Sequence, residues 1–217
     1  MADRYLVNEI FWSPQGEGLR AGEMSAFIRF KGCNMKCAME AGPKSPGGFD
    51  CDTEFESGRS MTAEEIVAAI DDMSGQGALR QQKKSRGYSP WVVLTGGEPG
   101  LQVDDVLVGV LHNAGWRIAI ETNGSVDLSG LDLDWITVSP KVAEHAIRQT
   151  VADEVKYVRG YGQALPKPTC RARYQLISPA FNGLTIDQKA FEWCLGLIRE
   201  DPSWRLSVQM HKPWMVR

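Results

Sequence analysis

Three of the five cysteines, Cys33, Cys37 and Cys51, fall in one stretch, RFKGCNMKCAMEAGPKSPGGFDCDT over residues 29–53. Three residues separate the first two, and thirteen separate the second from the third. Gly32, Asn34 and Lys36 make a poor core strand, so the stretch reads as a loop leaving the apolar run Ser25–Phe30, itself a buried strand. Three thiolates in such a loop are soft ligands with three uses. As zinc ligands they need a fourth partner from His112, His145 or His211, none of them near in sequence. As core thiols they are inert. As iron–sulfur ligands they hold three irons of a 4Fe–4S cluster and leave the fourth open to a substrate or cofactor. Spacing alone does not choose among the three.

The elements around that loop are legible from periodicity. Val7–Phe11 reads as a strand entry, broken by Ser13-Pro14-Gln15-Gly16-Glu17-Gly18. That break is either a tight turn or a loop whose backbone approaches a ligand. Thr62-Ala63-Glu64-Glu65 matches a capping box, and Ile66, Val67, Ala69 and Ile70 follow at helical spacing, so Thr62–Met73 is a helix. Ser74–Ser89 reads as an exposed connection whose Lys83-Lys84-Ser85-Arg86 run is a solvated face, with a phosphate or nucleic-acid contact as the lesser reading. Apolar strands follow at Trp91–Leu94, Arg117–Ile120, Trp135–Val138, Val155–Val158, Tyr174–Ile177 and Trp204–Val208, with a helix at Asp104–Ala114. Thr185-Ile186-Asp187-Gln188 reads as a second capping box, opening a helix with Phe191, Cys194, Leu195 and Ile198 on one apolar stripe.

Strand after strand runs into a short polar or glycine-rich motif. Thr95-Gly96-Gly97-Glu98-Pro99, Glu121-Thr122-Asn123-Gly124, Ser139-Pro140-Lys141 and Ser178-Pro179 all stand in that position. Strands alternating with helices predict a parallel sheet, whose site lies at the carboxyl ends of the strands. Every candidate motif, Gln15–Gly18 included, is expected on that edge. The counts fall short of eight strands and eight helices, so the expected fold is an α/β incomplete barrel with few helices, in a single domain over residues 1–217.

Composition limits the function classes. A net charge of −3 over 217 residues offers no global basic surface for nucleic acid. No apolar run reaches membrane-spanning length, and MADRYLVNEIFW carries no secretory h-region. With an odd cysteine count, these features point to the reducing cytoplasm and away from a disulfide framework. No Ser-His-Asp or Cys-His nucleophile constellation is visible.

The TGGEP run downstream of the cysteines resembles the GGEP element of radical S-adenosylmethionine enzymes. The resemblance narrows with Glu9-Ile10-Phe11, Gln15-Gly16-Glu17-Gly18, Phe27-Ile28-Arg29, Gly32-Cys33-Asn34, Cys51-Asp52-Thr53, ETNG at 121–124, Ser139-Pro140-Lys141, and Trp204-Arg205-Leu206-Ser207 with Gln209 and His211-Lys212. In this order they look like the 7-carboxy-7-deazaguanine synthase family, from about residue 7 to 212. The resemblance implies a radical lyase that converts 6-carboxy-5,6,7,8-tetrahydropterin to 7-carboxy-7-deazaguanine with loss of ammonia. It implies Cys33, Cys37 and Cys51 as ligands of a 4Fe–4S cluster, and Thr53 as a ligand of magnesium. S-adenosylmethionine falls to Asp50, Asp52, Gly97, Glu98, Ser139, Pro140, Lys141, Ser178 and Pro179. The pterin falls to Pro14, Gln15, Gly16, Glu17, Arg29, Thr95, Glu121 and Arg217. The cofactor radical carries the reaction, with Glu121 as the one side-chain candidate beside it. An electron donor such as flavodoxin or ferredoxin, and a homodimer, are further implications.

Two features depart from the pattern. The superfamily spacing is C-x3-C-x2-C, whereas here thirteen residues, Ala38–Asp50, precede the third cysteine. Their two prolines and three glycines let the segment fold back and return Cys51 to the cluster. The chain closes on Trp214-Met215-Val216-Arg217 where the family often closes on proline. Cys170 and Cys194 match no ligand position and read as structural.

Overall fold

The structure is a computed structural model that describes residues 4–35, 56–74, 89–141 and 143–216. The chain forms β1 (Arg4–Pro14), β2 (Met24–Phe30), β3 (Arg59–Thr62), α1 (Ala63–Ser74), β4 (Trp91–Gly96), α2 (Asp105–Asn113), β5 (Arg117–Thr122), β6 (Trp135–Val138), β7 (Val151–Arg159) and β8 (Arg171–Pro179). A two-stranded hairpin, β9 (Phe181–Asn182) with β10 (Thr185–Ile186), leads to α3 (Gln188–Glu200), β11 (Trp204–Leu206) and α4 (His211–Trp214).

The main sheet runs β11-β8-β7-β6-β5-β4-β2-β1-β3. From β2 to β11 every neighbour is parallel, while β1 runs antiparallel to both β2 and β3. This is the expected incomplete barrel. One expectation fails: because β1 is reversed, the Gln15–Gly18 motif leaves the sheet at the edge where the parallel strands begin. Its side chains reach the site from that side. The strand expected at Trp204–Val208 stops at Leu206.

The local chemistry explains the ends of the elements. At α1 the Thr62 N–H donates to Glu65 Oε2 (2.8 Å) and the Glu65 N–H donates to Thr62 Oγ1 (3.2 Å), a reciprocal capping box. Asp104 caps α2 by accepting from the Leu107 N–H at 3.0 Å. The second capping box is misplaced in the sequence reading: Thr185 and Ile186 belong to the hairpin, and Asp187 caps α3 by accepting from the Ala190 N–H at 3.0 Å. The fully buried stripe of α3 is accordingly Ala190, Cys194 and Leu197, with Phe191, Leu195 and Ile198 only partly covered.

Register sorts the two faces of the sheet. The outer face carries Ile28, Val92, Leu94, Ile118 and Ile120, packed with Ile66, Ile70, Leu107 and Leu111 of α1 and α2. Further along, Val138, Val155 and Ile177 pack with Cys194 and Leu197 of α3. The inner face is layered. An apolar row, Phe11–Phe27–Val93–Ala119–Trp135, crosses five paired strands. Phe11 and Phe27 stack with ring centroids 4.8 Å apart. Two residues further toward the carboxyl edge the row turns polar: Glu9–Arg29–Thr95 on one side and Glu121–Thr137–Glu154–Tyr174 on the other.

Candidate functional site

The carboxyl edge is built around Cys33. Past β2, the Phe30 carbonyl accepts from the Gly97 N–H at 3.1 Å and the Gly32 carbonyl accepts from the Glu98 N–H at 2.9 Å. These bonds lay the Gly96-Gly97 turn of β4 flat against the chain that carries the cysteine. Gly96 has φ +127°, a backbone state that side chains rarely adopt. A Cβ on Gly97 would stand 3.0 Å from Cys33 Cβ and nearer still to the Gly32 carbonyl. The Met35 N–H points at Cys33 Sγ, 3.4 Å away. Asn34 ties the loop to the turn after β5: its Nδ2 donates to Ser125 Oγ (2.8 Å), and its Oδ1 accepts from Asn123 Nδ2 (3.1 Å). Three neighbouring strand ends therefore fix where Cys33 sits.

Glu98 stiffens the same edge from beneath. It is fully buried and accepts from Thr122 Oγ1 (2.7 Å), the Asn123 N–H (2.7 Å) and the Gly100 N–H (3.0 Å). Burial pushes its carboxyl up, against those three donors. Its side chain is committed to the protein, which leaves the backbone of the glycine turn as the surface this motif presents.

The other side of the chamber is closed by the loop after β1. Residues 15–22 cross to the far edge of the sheet, where the Gly18 N–H donates to Ser207 Oγ (2.9 Å) and the Gly16 carbonyl accepts from the Met210 N–H (2.8 Å). The Leu19 N–H donates to Glu154 Oε2 at 3.0 Å. Gly18, at φ +71°, lies against the Glu154 carboxylate, and a Cβ on Gly16 would come within 2.5 Å of His211 Nδ1. The loop delivers Gln15, whose Nε2 donates to Glu121 Oε1 at 2.8 Å, and Glu17, which pairs with Lys156. Glu17 Oε1 also accepts from Gln209 Nε2 at 2.9 Å, with His211 Nδ1 3.9 Å away.

The inner face here is buried and charged. Burial opposes ionisation of Glu17, yet the Lys156 ammonium, with hydrogen bonds from Lys156 and Gln209, outweighs it and holds the carboxyl at about 2. Burial likewise disfavours the Lys156 charge, but Glu17 and Glu121 raise its pKa above the usual lysine range. Burial pushes Glu154 up, opposed by Leu19, Lys156 and Thr137. Arg29 pairs with Glu9 at 3.5 Å and stands 5.6 Å from the Phe11 ring.

The structure thus places Arg29, Thr95 and Glu121 in one row of the inner face and brings Gln15 to Glu121 and Glu17 to Lys156, with Gly16 between them and Pro14 closing β1. Ser139, Pro140 and Lys141 follow β6 directly, and the Ser139 N–H donates to the Thr122 carbonyl at 2.8 Å. Ser178 and Pro179 end β8; the Ser178 Oγ is buried without a hydrogen-bond partner among the described residues. Cys37, Asp50, Cys51, Asp52, Thr53, Arg217 and the Lys83–Arg86 run lie outside the described residues. His112 sits elsewhere, with its ring nitrogens 3.2 Å from the Trp116 carbonyl and 2.9 Å from that of Asp132. Cys170 and Cys194 are buried, and burial pushes each thiol up to about 11. The sequence reading missed Lys156 and Glu154, and gave Asn34, Asn123 and Gln209 no role. The signal was present in Asp153-Glu154-Val155-Lys156-Tyr157, whose alternation puts both charges on the inner face.

A curved, mostly parallel sheet with few helices, a cysteine loop on its first parallel strand and a glycine turn on the next defines a partial β/α barrel of the radical S-adenosylmethionine type. Its nearest functional grouping follows from overall similarity. The chain belongs to the 7-carboxy-7-deazaguanine synthase family. It is 37% identical to the enzyme of that name from Nitratidesulfovibrio vulgaris over 222 residues, covering 96% of this chain and 97% of that one. It is 36% identical to the one from Bacteroides thetaiotaomicron, covering 95% of each. The crystal structure of QueE from Escherichia coli superposes with a TM-score of 0.63 at 24% identity, covering 96% of this chain and 95% of that one, a likeness of fold. No family model matches the chain.

Proposed function

We propose that this protein converts 6-carboxy-5,6,7,8-tetrahydropterin to 7-carboxy-7-deazaguanine with loss of ammonia, on the route to deazapurine-modified nucleic acid. The observation that carries the reading is the convergence of polar side chains on the inner face. Gln15, Glu17 and Glu121 converge from β1 and β5 beneath the edge that holds Cys33. A pterin is flat with adjacent amide and amine edges, so the side-chain oxygens of Glu17 and Glu121 are acceptors for its N–H groups. Arg29, with its planar fork, suits the substrate carboxylate. The apolar row of Phe11, Phe27, Val93, Ala119 and Trp135 lies below as a dry floor.

The residues fit the family's cofactors. Gly97 lets its turn lie flat against the chain that carries Cys33, with Glu98 turned inward so that backbone is what the turn presents, and the buried Ser178 hydroxyl still has hydrogen-bonding capacity to offer. Cys33, Cys37 and Cys51 would hold a 4Fe–4S cluster. Asp50, Asp52, Gly97, Ser139–Lys141 and Ser178–Pro179 would hold S-adenosylmethionine, with the Glu98 side chain acting as the brace of its turn. Thr53 would ligate magnesium through a hard oxygen. Bound together, these groups supply hydrogen-atom abstraction by a carbon radical, chemistry that belongs to the cofactor. The protein's own residues bind and orient the pterin and keep water from it. A flavodoxin- or ferredoxin-type donor, a homodimer and a cytoplasmic setting complete the reading. No described helix is long and apolar enough to cross a membrane.

The test is product analysis with anaerobically reconstituted protein, the carboxytetrahydropterin, S-adenosylmethionine, magnesium and a reductant. The expected result is 7-carboxy-7-deazaguanine and ammonia. A colourless protein with one bound zinc, or cofactor cleavage with the pterin returned unchanged, would overturn the proposal.

A further inference from the structure

Lys156 projects from β7 onto the inner face, two residues along from Glu154 and paired in register with Leu176 of β8. Its side chain is only 6% exposed. Such a lysine is costly to bury, and a pair of well-packed apolar residues often serves stability as well as a buried ion pair. Its position therefore invites a functional explanation. The charged and titratable groups facing the Lys156–Glu17 pair are Glu121 from β5, Glu154 from β7 and His211 from α4, with Arg20 of the same loop acting on Glu121 and Glu154.

The loop leaves Glu17 little choice of place. Gly16 is backed by His211, Gly18 by the Glu154 carboxylate, and both backbone neighbours are bonded to the Ser207–Met210 segment. Within that frame Glu17 Oε2 meets the Lys156 ammonium, and Oε1 accepts from Gln209. A carboxylate oxygen has two lone pairs, so one donor at each leaves acceptor capacity for a ligand. Glu121 is similarly half-used, by Gln15.

We propose that Lys156 is a positioning residue for the pterin: it keeps Glu17 charged and aimed so that its remaining lone pairs receive the N–H edge of the substrate. The inference rests on the pterin reading above. Lys156 itself touches the Glu17 carboxylate and acts on the substrate through it.

The consequence is a specific pH signature. With Lys156 in place Glu17 stays ionised across the working range. Without it, burial acts unopposed by the ammonium and lifts the Glu17 carboxyl, so protonation removes the acceptor as pH falls. The experiment compares wild type, Lys156→Met, Lys156→Arg, Glu17→Gln and the double variant Glu17→Gln/Lys156→Met, each as reconstituted holoenzyme. It measures pterin KM and kcat from pH 6 to 8.5, and pterin affinity by equilibrium dialysis with S-adenosylmethionine present.

Losing a charged acceptor should raise the pterin KM about tenfold or more at pH 7 in Lys156→Met, with a smaller change in kcat. That KM should fall as pH rises, where the wild type is flat. Lys156→Arg should recover part of the affinity. The double variant should match Glu17→Gln within about threefold, since Lys156 acts through Glu17. If Lys156→Met does not fold, the double variant, which buries no lone charge from the pair, carries the test. An unchanged KM with a flat pH profile in Lys156→Met overturns the proposal, as does a double variant about tenfold worse than Glu17→Gln. Absence of product from the wild type would instead sink the pterin reading.

Discussion

Gly97 and Cys33 come from different strands yet lie in direct apposition. A Cβ placed on Gly97 would stand 3.0 Å from Cys33 Cβ, and the Glu98 N–H next to it donates to the carbonyl just before the cysteine at 2.9 Å. The cysteine loop is positioned by the backbone of the glycine turn. Any side chain there displaces one or the other.

Gly97→Ala tests that apposition. The added methyl collides with backbone and cannot be relieved by a rotamer change, so overpacking of about 1–3 kcal/mol is expected locally. The reconstituted variant should hold less iron than wild type and cleave S-adenosylmethionine about tenfold more slowly or worse, with unchanged circular dichroism. Gly109→Ala is the control: it sits inside α2 with nothing within 4 Å of an added Cβ, and helix propensity predicts stabilisation of up to about 1 kcal/mol. Normal iron content in Gly97→Ala would contradict the packing argument.

Glu98→Ala should cost stability. It strands the Thr122 hydroxyl and the N–H groups of Asn123 and Gly100, all bonded to the carboxylate at 2.7–3.0 Å. Unsatisfied buried donors predict a loss of about 2–4 kcal/mol, read from urea midpoints. Glu98→Gln keeps one acceptor oxygen and should lose less. Equal stabilities for Ala and wild type would show the network to be dispensable.

Acid should weaken the fold through Glu17. Its folded-state carboxyl is held at about 2, below the ordinary 4.5. A depressed carboxyl stabilises the fold fully above the unfolded value, and the contribution is lost as pH falls from about 4.5 toward 2. Urea unfolding between pH 5 and 3 should show wild-type stability declining more steeply than that of Glu17→Gln. Parallel curves would remove Glu17 from the account.

Cys37→Ala separates the ligand cysteines from the structural ones. The reconstituted variant should fail to hold a full 4Fe–4S cluster by iron and sulfide analysis. Cys170→Ala should hold one, because that thiol is buried against the core formed with β7 and α3 and raised to about 11. A full cluster in Cys37→Ala would strike Cys37 from the ligand set.

The parallel strands and the polar motifs at their ends were legible because each strand is a short apolar run that stops at glycine, proline or a polar cluster. Val92, Leu94, Ile118 and Ile120 announce burial wherever they pair. The direction of β1 was not legible, because it depends on pairing with β2 across residues 15–23, and no local pattern encodes it. Lys156 and Glu154 were passed over for a related reason. They alternate with Val155 and Tyr157 in the manner of a strand with one wet face. Here the sheet curls and the Gln15–Gly22 loop crosses over, which dries that face and turns surface-like charges into interior ones. Only the closed arrangement gives them a role.

The bond between Gly18 and Ser207 joins positions 189 apart in the chain. As synthesis proceeds on the ribosome, β2 and β4 through β8 can pair in the order they emerge, each beside its predecessor. The Gln15–Gly22 loop finds Glu121 and Glu154 along the way, but its anchors at Ser207 and Met210 emerge only after the whole parallel run. A nascent chain stalled short of residue 207 lacks the two bonds that pin Gly16 and Gly18, so the loop that carries Glu17 is left tethered only through Gln15 and Leu19.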